Sequence, residues 1–83
     1  MDATSQIRSY IIESFLFGDA SPLTDDRMSL LDNGVIDSTG VMELVAFLED
    51  DFGLTIRDEE LVPENLDSVA NLASFVERKQ AAA

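Results

Sequence analysis

Residues 33–53 read Asn33-Gly-Val-Ile-Asp-Ser-Thr-Gly40 and then Val41-Met-Glu-Leu-Val-Ala-Phe-Leu-Glu-Asp-Asp-Phe-Gly53, and they hold the strongest periodic signal in the chain. Val41, Leu44, Val45, Leu48 and Phe52 recur at helical spacing and form one apolar face, with Phe47 on its flank. The spacing predicts a helix from about Ser38 to Asp51. Asp37-Ser38 suits its start, because short oxygen-bearing side chains accept hydrogen bonds from the first free amides of a helix. Gly53 suits its end, because glycine takes a left-handed conformation at little cost.

Working outward, Ile7, Ile11 and Phe15 fall at steps of four between Thr4 and Phe17, with Tyr10 and Phe17 beside them and Gly18 placed to end the helix. A long loop with Pro22 follows, reaching to about Asp37. Leu30, Leu31, Val35 and Ile36 are its apolar anchors, so it is expected to pack across the helices. One short helix fits between Asp58 and Leu61, cut off by Pro63. A last helix begins near Asp67 or Ser68 and carries Val69, Leu72, Ala73 and Val76 on one side. Arg78 and Lys79 near its end complement the helix dipole. Strand patterning is confined to Gly53-Leu-Thr-Ile56, too short to seed a sheet. The expectation is all-α: three main helices, one short one and a long first loop.

Eighty-three residues suffice for one domain with a modest core, 46% of them being hydrophobic. Seventeen acidic residues oppose five basic ones, for a formal net charge of -12. Such a surface repels nucleic-acid phosphates and anionic lipid and favours basic partners, although solubility alone is also served by it. It implies a monomer, and salt should relieve its self-repulsion. The first twenty residues include Asp2, Arg8 and Glu13 and lack the basic start and apolar block of a signal peptide. No run approaches the roughly 20 apolar residues that span a bilayer. With no cysteine, a cytoplasmic setting fits.

Histidine is absent as well, so the usual general base and the usual thiolate nucleophile are both missing. This argues against an enzyme. A calcium loop starting at Asp32 would have Glu43 at position 12, but Gly34, Ile36 and Asp37 fall where ligands or the turn glycine belong. A dedicated metal site is therefore not expected. Ser38 remains. As part of Asp37-Ser38 it reads first as a helix cap. The context adds more: Gly34 lets the chain turn, Val35 and Ile36 anchor it, and the hydroxyl stands at a helix mouth that would welcome a phosphodiester. Gly40 adds no side chain to crowd an attached group. No base is needed in this chain if another enzyme modifies the serine.

From Gly34 to Val45, and on through Leu48-Glu-Asp-Asp-Phe-Gly53, the sequence resembles the phosphopantetheine attachment region of acyl carrier proteins. Ile56-Arg-Asp-Glu-Glu-Leu61 and Leu66-Asp-Ser-Val-Ala-Asn-Leu72 resemble that family's third and fourth helices, so the likeness runs from Ile7 to about Lys79. What it implies is a four-helix acyl-carrier-like bundle, a single carrier domain over 1–83 with about 4–79 ordered and 80–83 a tail. It also implies a covalent 4'-phosphopantetheine arm from coenzyme A on Ser38, beside Asp37, put there by a phosphopantetheinyl transferase. Acyl or aminoacyl groups would ride on the arm as thioesters. Activating and transferring enzymes with basic patches would then dock on Thr39, Met42, Glu43, Ala46, Glu49 and Asp50. Spacing agrees in part: 39, 42, 43, 46 and 50 make a second stripe on the same helix. From Asp37 to Glu64 there are nine acidic residues and one basic, Arg57. Fatty-acid carriers commonly have leucine after the serine, whereas here Thr39 and then Gly40 follow it, and Asp-Ser-x-Gly is closer to D-alanyl carrier proteins. Phe47 is large where many carriers are small, which is expected to alter any pocket for a long chain. The competing reading is an acidic helical interaction module with no covalent group.

Overall fold

The computed structural model describes residues 2–82. Helix α1 spans Ala3–Phe15 and is opened by Asp2, whose carboxylate accepts the Ser5 N–H at 2.8 Å. Ile7 and Ile11 are wholly buried, with Tyr10 and Phe15 packed against the core. The helix ends two residues sooner than its apolar stripe suggests. Leu16 and Gly18 both donate backbone N–H groups to the Ile12 carbonyl, closing the last turn. Phe17 is consequently thrown outward and does not join the stripe: it has a φ of 55° and is 97% exposed.

The loop that follows is anchored as expected, with one exchange. Leu30, Val35 and Ile36 are buried, but Leu31 is 40% exposed and Leu23, which has no periodic signal, is buried in its stead. Hydrogen bonds bind this loop to the start of the last helix. The Asp67 carbonyl accepts the Leu30 N–H at 2.8 Å, and the Asp67 carboxylate takes the Leu31 N–H at 2.9 Å and the Ser29 hydroxyl at 2.6 Å. On the other side Arg8 pairs with Asp26 at 2.7 Å. A long loop can lie against a core only when its backbone groups find partners in this way.

Helix α2 spans Ser38–Phe52 and closes on Gly53, which is left-handed at a φ of 66° and returns its N–H to Glu49. Leu44, Val45 and Leu48 are buried, while Val41 and Phe52 lie half-buried at the two ends of the same face. Next comes a 3-10 turn at Asp58–Glu60, and then a short helix α3 at Pro63–Leu66. The short helix expected between Asp58 and Leu61 is thus present as the 3-10 turn, and α3, the further short helix beyond it, is started by Pro63. The proline occupies the first helical position, where a missing N–H costs no bond and the fixed φ is already helical.

Helix α4 spans Val69–Ala82. Of the two candidate caps, Ser68 is the one used, its hydroxyl accepting the Asn71 N–H at 3.0 Å. Asp67 is committed to the first loop. Val69, Leu72, Ala73 and Val76 are buried as predicted, and Phe75 joins them from the flank. Residues 80–82, expected as part of a tail, continue the helix, and Ala83 lies outside the described residues. Arg78 and Lys79 do more than face the helix terminus: Arg78 reaches Asn65, and Lys79 binds Glu60 at 2.9 Å, tying α4 to the segment before it. The described residues contain four helices and no strand, an all-α bundle of about 35 × 26 × 20 Å.

Helices α1 and α2 run antiparallel. Tyr10 stacks on Phe47 at 4.0 Å and donates its hydroxyl to the Glu43 carbonyl, whereas Phe15 meets α2 at Gly40. The C-terminal end of α1 thus abuts the N-terminal end of α2.

Candidate functional site

The pair Asp37-Ser38 divides its labour. Asp37 is extended and is the cap: its Oδ1 accepts the Gly40 N–H at 2.7 Å, and its carbonyl accepts the Val41 N–H at 2.9 Å. Ser38 is the first helical residue, is exposed, and among the described residues its hydroxyl takes part in no hydrogen bond. Because Asp37 caps, Ser38 does not have to. The amides of Ser38 and Thr39 belong to the first turn, have no intrahelical acceptor and point toward the same end of the helix as that hydroxyl. They add positive partial charge at the mouth of a 15-residue helix.

The approach to the serine is rigid. Gly34 turns the chain at a φ of 70°, and both Val35 and Ile36 donate N–H groups to the Leu30 carbonyl while their side chains enter the core. Gly40 has a different task from the one its sequence position suggests. It is buried, and a Cβ there would stand 2.8 Å from Ile36 Cγ1 and 2.9 Å from Phe15 Cε1. Its smallness lets α1 and the loop close on α2. It does not clear space for a group on Ser38, which projects on the outer side.

Of the six residues expected on the outer face of α2, Thr39, Met42, Glu43, Ala46 and Asp50 are exposed, Met42 at 57%. Glu49 departs from the set. It is half-buried, and its Oε2 accepts the Ile56 N–H at 2.9 Å, so the carboxylate holds the segment after α2 in place.

One turn beyond Ser38, Val41 shares a cleft of about 140 Å³ with Leu31, Leu61, Val62, Pro63, Leu66 and Asp67. The sequence did not mark this lining, since only Val41 belongs to a long periodic element and the others come from the first loop and from the segment around the short helix α3. Nor does Phe47 enter it. Its ring lies parallel to Tyr10 and edge-on to Phe52 at 5.9 Å, so its bulk is used against α1 and leaves the cleft unaltered. Burial, followed by the nearby charges of Glu43 and Asp51, raises the Tyr10 phenol above its ordinary pKa, so the ring stays neutral in its stack.

Chemically, a hydroxyl at a helix mouth with neither histidine nor cysteine anywhere in the chain is a group to be acted upon. It can accept an anionic substituent; it has no partner to activate it.

No family model matches the chain. Curated relatives do. The chain is 44% identical over 57 residues to an acyl carrier protein of Exiguobacterium sibiricum, covering 69% of this chain and 68% of that one. It is 35% identical over 66 residues to the D-alanyl carrier protein of Streptococcus suis, covering 80% and 81%. A probable acyl carrier protein of a Serratia species, PigG, is 29% identical over 77 residues, covering 93% and 87%. With the helical bundle, the capped α2 and these likenesses together, the chain belongs to the acyl carrier protein family.

Proposed function

We propose that Ser38 carries a 4'-phosphopantetheine arm and that this single-domain carrier presents acyl or aminoacyl groups as thioesters to the enzymes that load and use them. The observation that bears the reading is the division of labour at residues 37 and 38. A second capping residue relieves the serine of capping, so its hydroxyl is exposed and unbonded at the positive end of α2. A phosphodiester there would meet the free amides of Ser38 and Thr39. Asp37 serves by holding the turn, not by contacting the group. When bound, the arm supplies a terminal thiol that forms thioesters.

Attachment needs an outside catalyst. The Ser38 oxygen attacks the pyrophosphate of coenzyme A, an oxygen–phosphorus bond forms, the pyrophosphate bond breaks and the nucleotide bisphosphate leaves. The hydroxyl proton passes to a base on the phosphopantetheinyl transferase, since none is present here. Partners are enzymes with basic patches that dock on Thr39, Met42, Glu43, Ala46 and Asp50; Glu49 contributes charge but is tethered to Ile56. No helix among the described residues is long and apolar enough to cross a membrane. The reading places the protein in the cytoplasm as a monomer, in keeping with its net charge of -12.

Intact-mass measurement after incubation with coenzyme A and a broad-specificity phosphopantetheinyl transferase tests this. The expected result is a gain of one phosphopantetheine that is lost in Ser38→Ala. A folded sample that gains nothing, while a control carrier in the same tube is fully modified, would reject the attachment. That outcome would leave an interaction module without a covalent group as the better account.

A further inference from the structure

Among the described residues three large apolar side chains are exposed, Phe17, Met42 and Leu31, and each lies on a segment that meets the N-terminal half of α2. Met42 is on α2 itself. Leu31 lines the cleft that contains Val41. Phe17 follows Phe15 by two residues, and Phe15 touches α2 at Gly40, two residues past the serine. Phe17 is the extreme case, at 97% exposure.

Its backbone is as unusual as its exposure. Phe17 is the single non-glycine residue with a positive φ among the described residues, at 55°. A left-handed conformation is disfavoured for a bulky side chain, and such positions cluster where function requires them. The ring gains nothing from the fold in return, since it has neither a stacking partner nor a place in the core. Gly18 stands next in the chain at a φ of 85°, so a glycine suited to closing the helix was available. The Leu16 and Gly18 bonds to Ile12 hold the Phe17 backbone on both sides, so the ring projects from a fixed base.

We propose that Phe17 is a recognition residue for the transferase that modifies Ser38, seated in an apolar pocket rimmed by basic side chains on that enzyme; the proposal rests on Ser38 being the attachment point. The partner chemistry follows from the surroundings. Asp19, two residues beyond Phe17, and Asp37 and Glu43 at the N-terminal half of α2, are acidic, and no basic residue lies between Arg27 and Arg57 in the chain. Basic groups complement that field, and an aromatic side chain at the centre of such a contact is a common anchor. The choice of partner follows from reach. An enzyme that bonds to the Ser38 oxygen itself must close over the residues beside it. Enzymes acting on the far end of a flexible arm can dock on the outer face of α2 without closing over the end of α1.

Steady-state priming of wild type, Phe17→Asn and Phe17→Tyr by the broad-specificity transferase, with melting curves for each, tests the proposal. Asparagine tolerates the left-handed backbone and removes the ring; tyrosine keeps an aromatic ring. The expected result is a KM for the carrier raised about tenfold in Phe17→Asn, with kcat and melting temperature unchanged and Phe17→Tyr within about twofold of wild type. Equal KM values for all three proteins would overturn it, as would a loss in Phe17→Asn that tracks a fall in melting temperature. If wild type itself is not primed, the attachment reading falls and this proposal with it, a result distinct from priming that is indifferent to Phe17.

Discussion

Replacing Gly40 by alanine sets two effects of opposite sign against each other. In an exposed helix interior the change should stabilise by about 0.8–1 kcal/mol, because alanine is the best helix former and glycine among the worst. Gly40 is not exposed. Its new methyl carbon would lie 2.8 Å from Ile36 Cγ1 and 2.9 Å from Phe15 Cε1, against an ordinary contact beginning near 3.4 Å. Ile36 would have to retreat by about 0.6 Å, the difference between those distances. It is held by its own N–H bond to Leu30, and it neighbours the cap that defines the start of α2. Overpacking of this kind costs about 1–3 kcal/mol. The steric cost outweighs the gain in helix propensity and leaves a net loss of about 1 kcal/mol. In a domain of this size that lowers the melting temperature by about 4–8 °C. Thermal unfolding followed by circular dichroism measures it. A melting temperature above wild type would refute the packing argument and restore the idea that Gly40 only keeps the outer surface clear. Gly40→Val should be worse than Gly40→Ala, since it adds two more carbons at the same contact.

Asp37→Ala removes the side-chain cap of α2 and should cost about 1 kcal/mol in urea unfolding, whereas Asp37→Asn keeps an acceptor and most of the stability. Acid should act through Glu60. The Arg57 N–H above all, and then the Lys79 ammonium, hold its carboxyl below the ordinary 4.5, so the stability it contributes is present above that value and is lost as pH falls through its folded pKa. The stability difference between wild type and Glu60→Gln, followed by urea unfolding, should therefore be constant near neutrality and shrink below about pH 4.5; a difference that does not change with pH would count against this linkage. Charge reversal in Glu43→Lys should slow loading by a partner enzyme while changing stability by about 0.5 kcal/mol or less, because the side chain is exposed; equal loading rates would remove this face from docking.

Much of the bundle was legible without coordinates. The α2 helix, its Gly53 stop and the stripe of Ile7, Ile11 and Phe15 in α1 are set by spacings within one or two turns, and such local patterns survive into the fold. The candidate attachment serine was legible for the same reason, as a small polar pair before an apolar run. Errors gathered where identity and direction part company. Leu31 and Leu23 are both loop leucines, and no periodicity says which turns inward; the hydrogen bonds to Asp67 decide it. Pro63 is a strong local signal that nevertheless admits two outcomes, ending one helix or starting another.

Sequence alone thus settled the helical class, the acidic surface and the place of Ser38 at the head of α2, since each depends on residue type and short-range spacing. Packing between distant segments settled the rest. Asp37 became the cap and left the Ser38 hydroxyl unbonded. Glu49 left the outer face to hold Ile56, and Gly40 turned out to face Phe15, 25 positions earlier in the chain. Those outcomes depend on which surfaces meet when α1 folds back against α2, and one-dimensional spacing carries no record of that meeting.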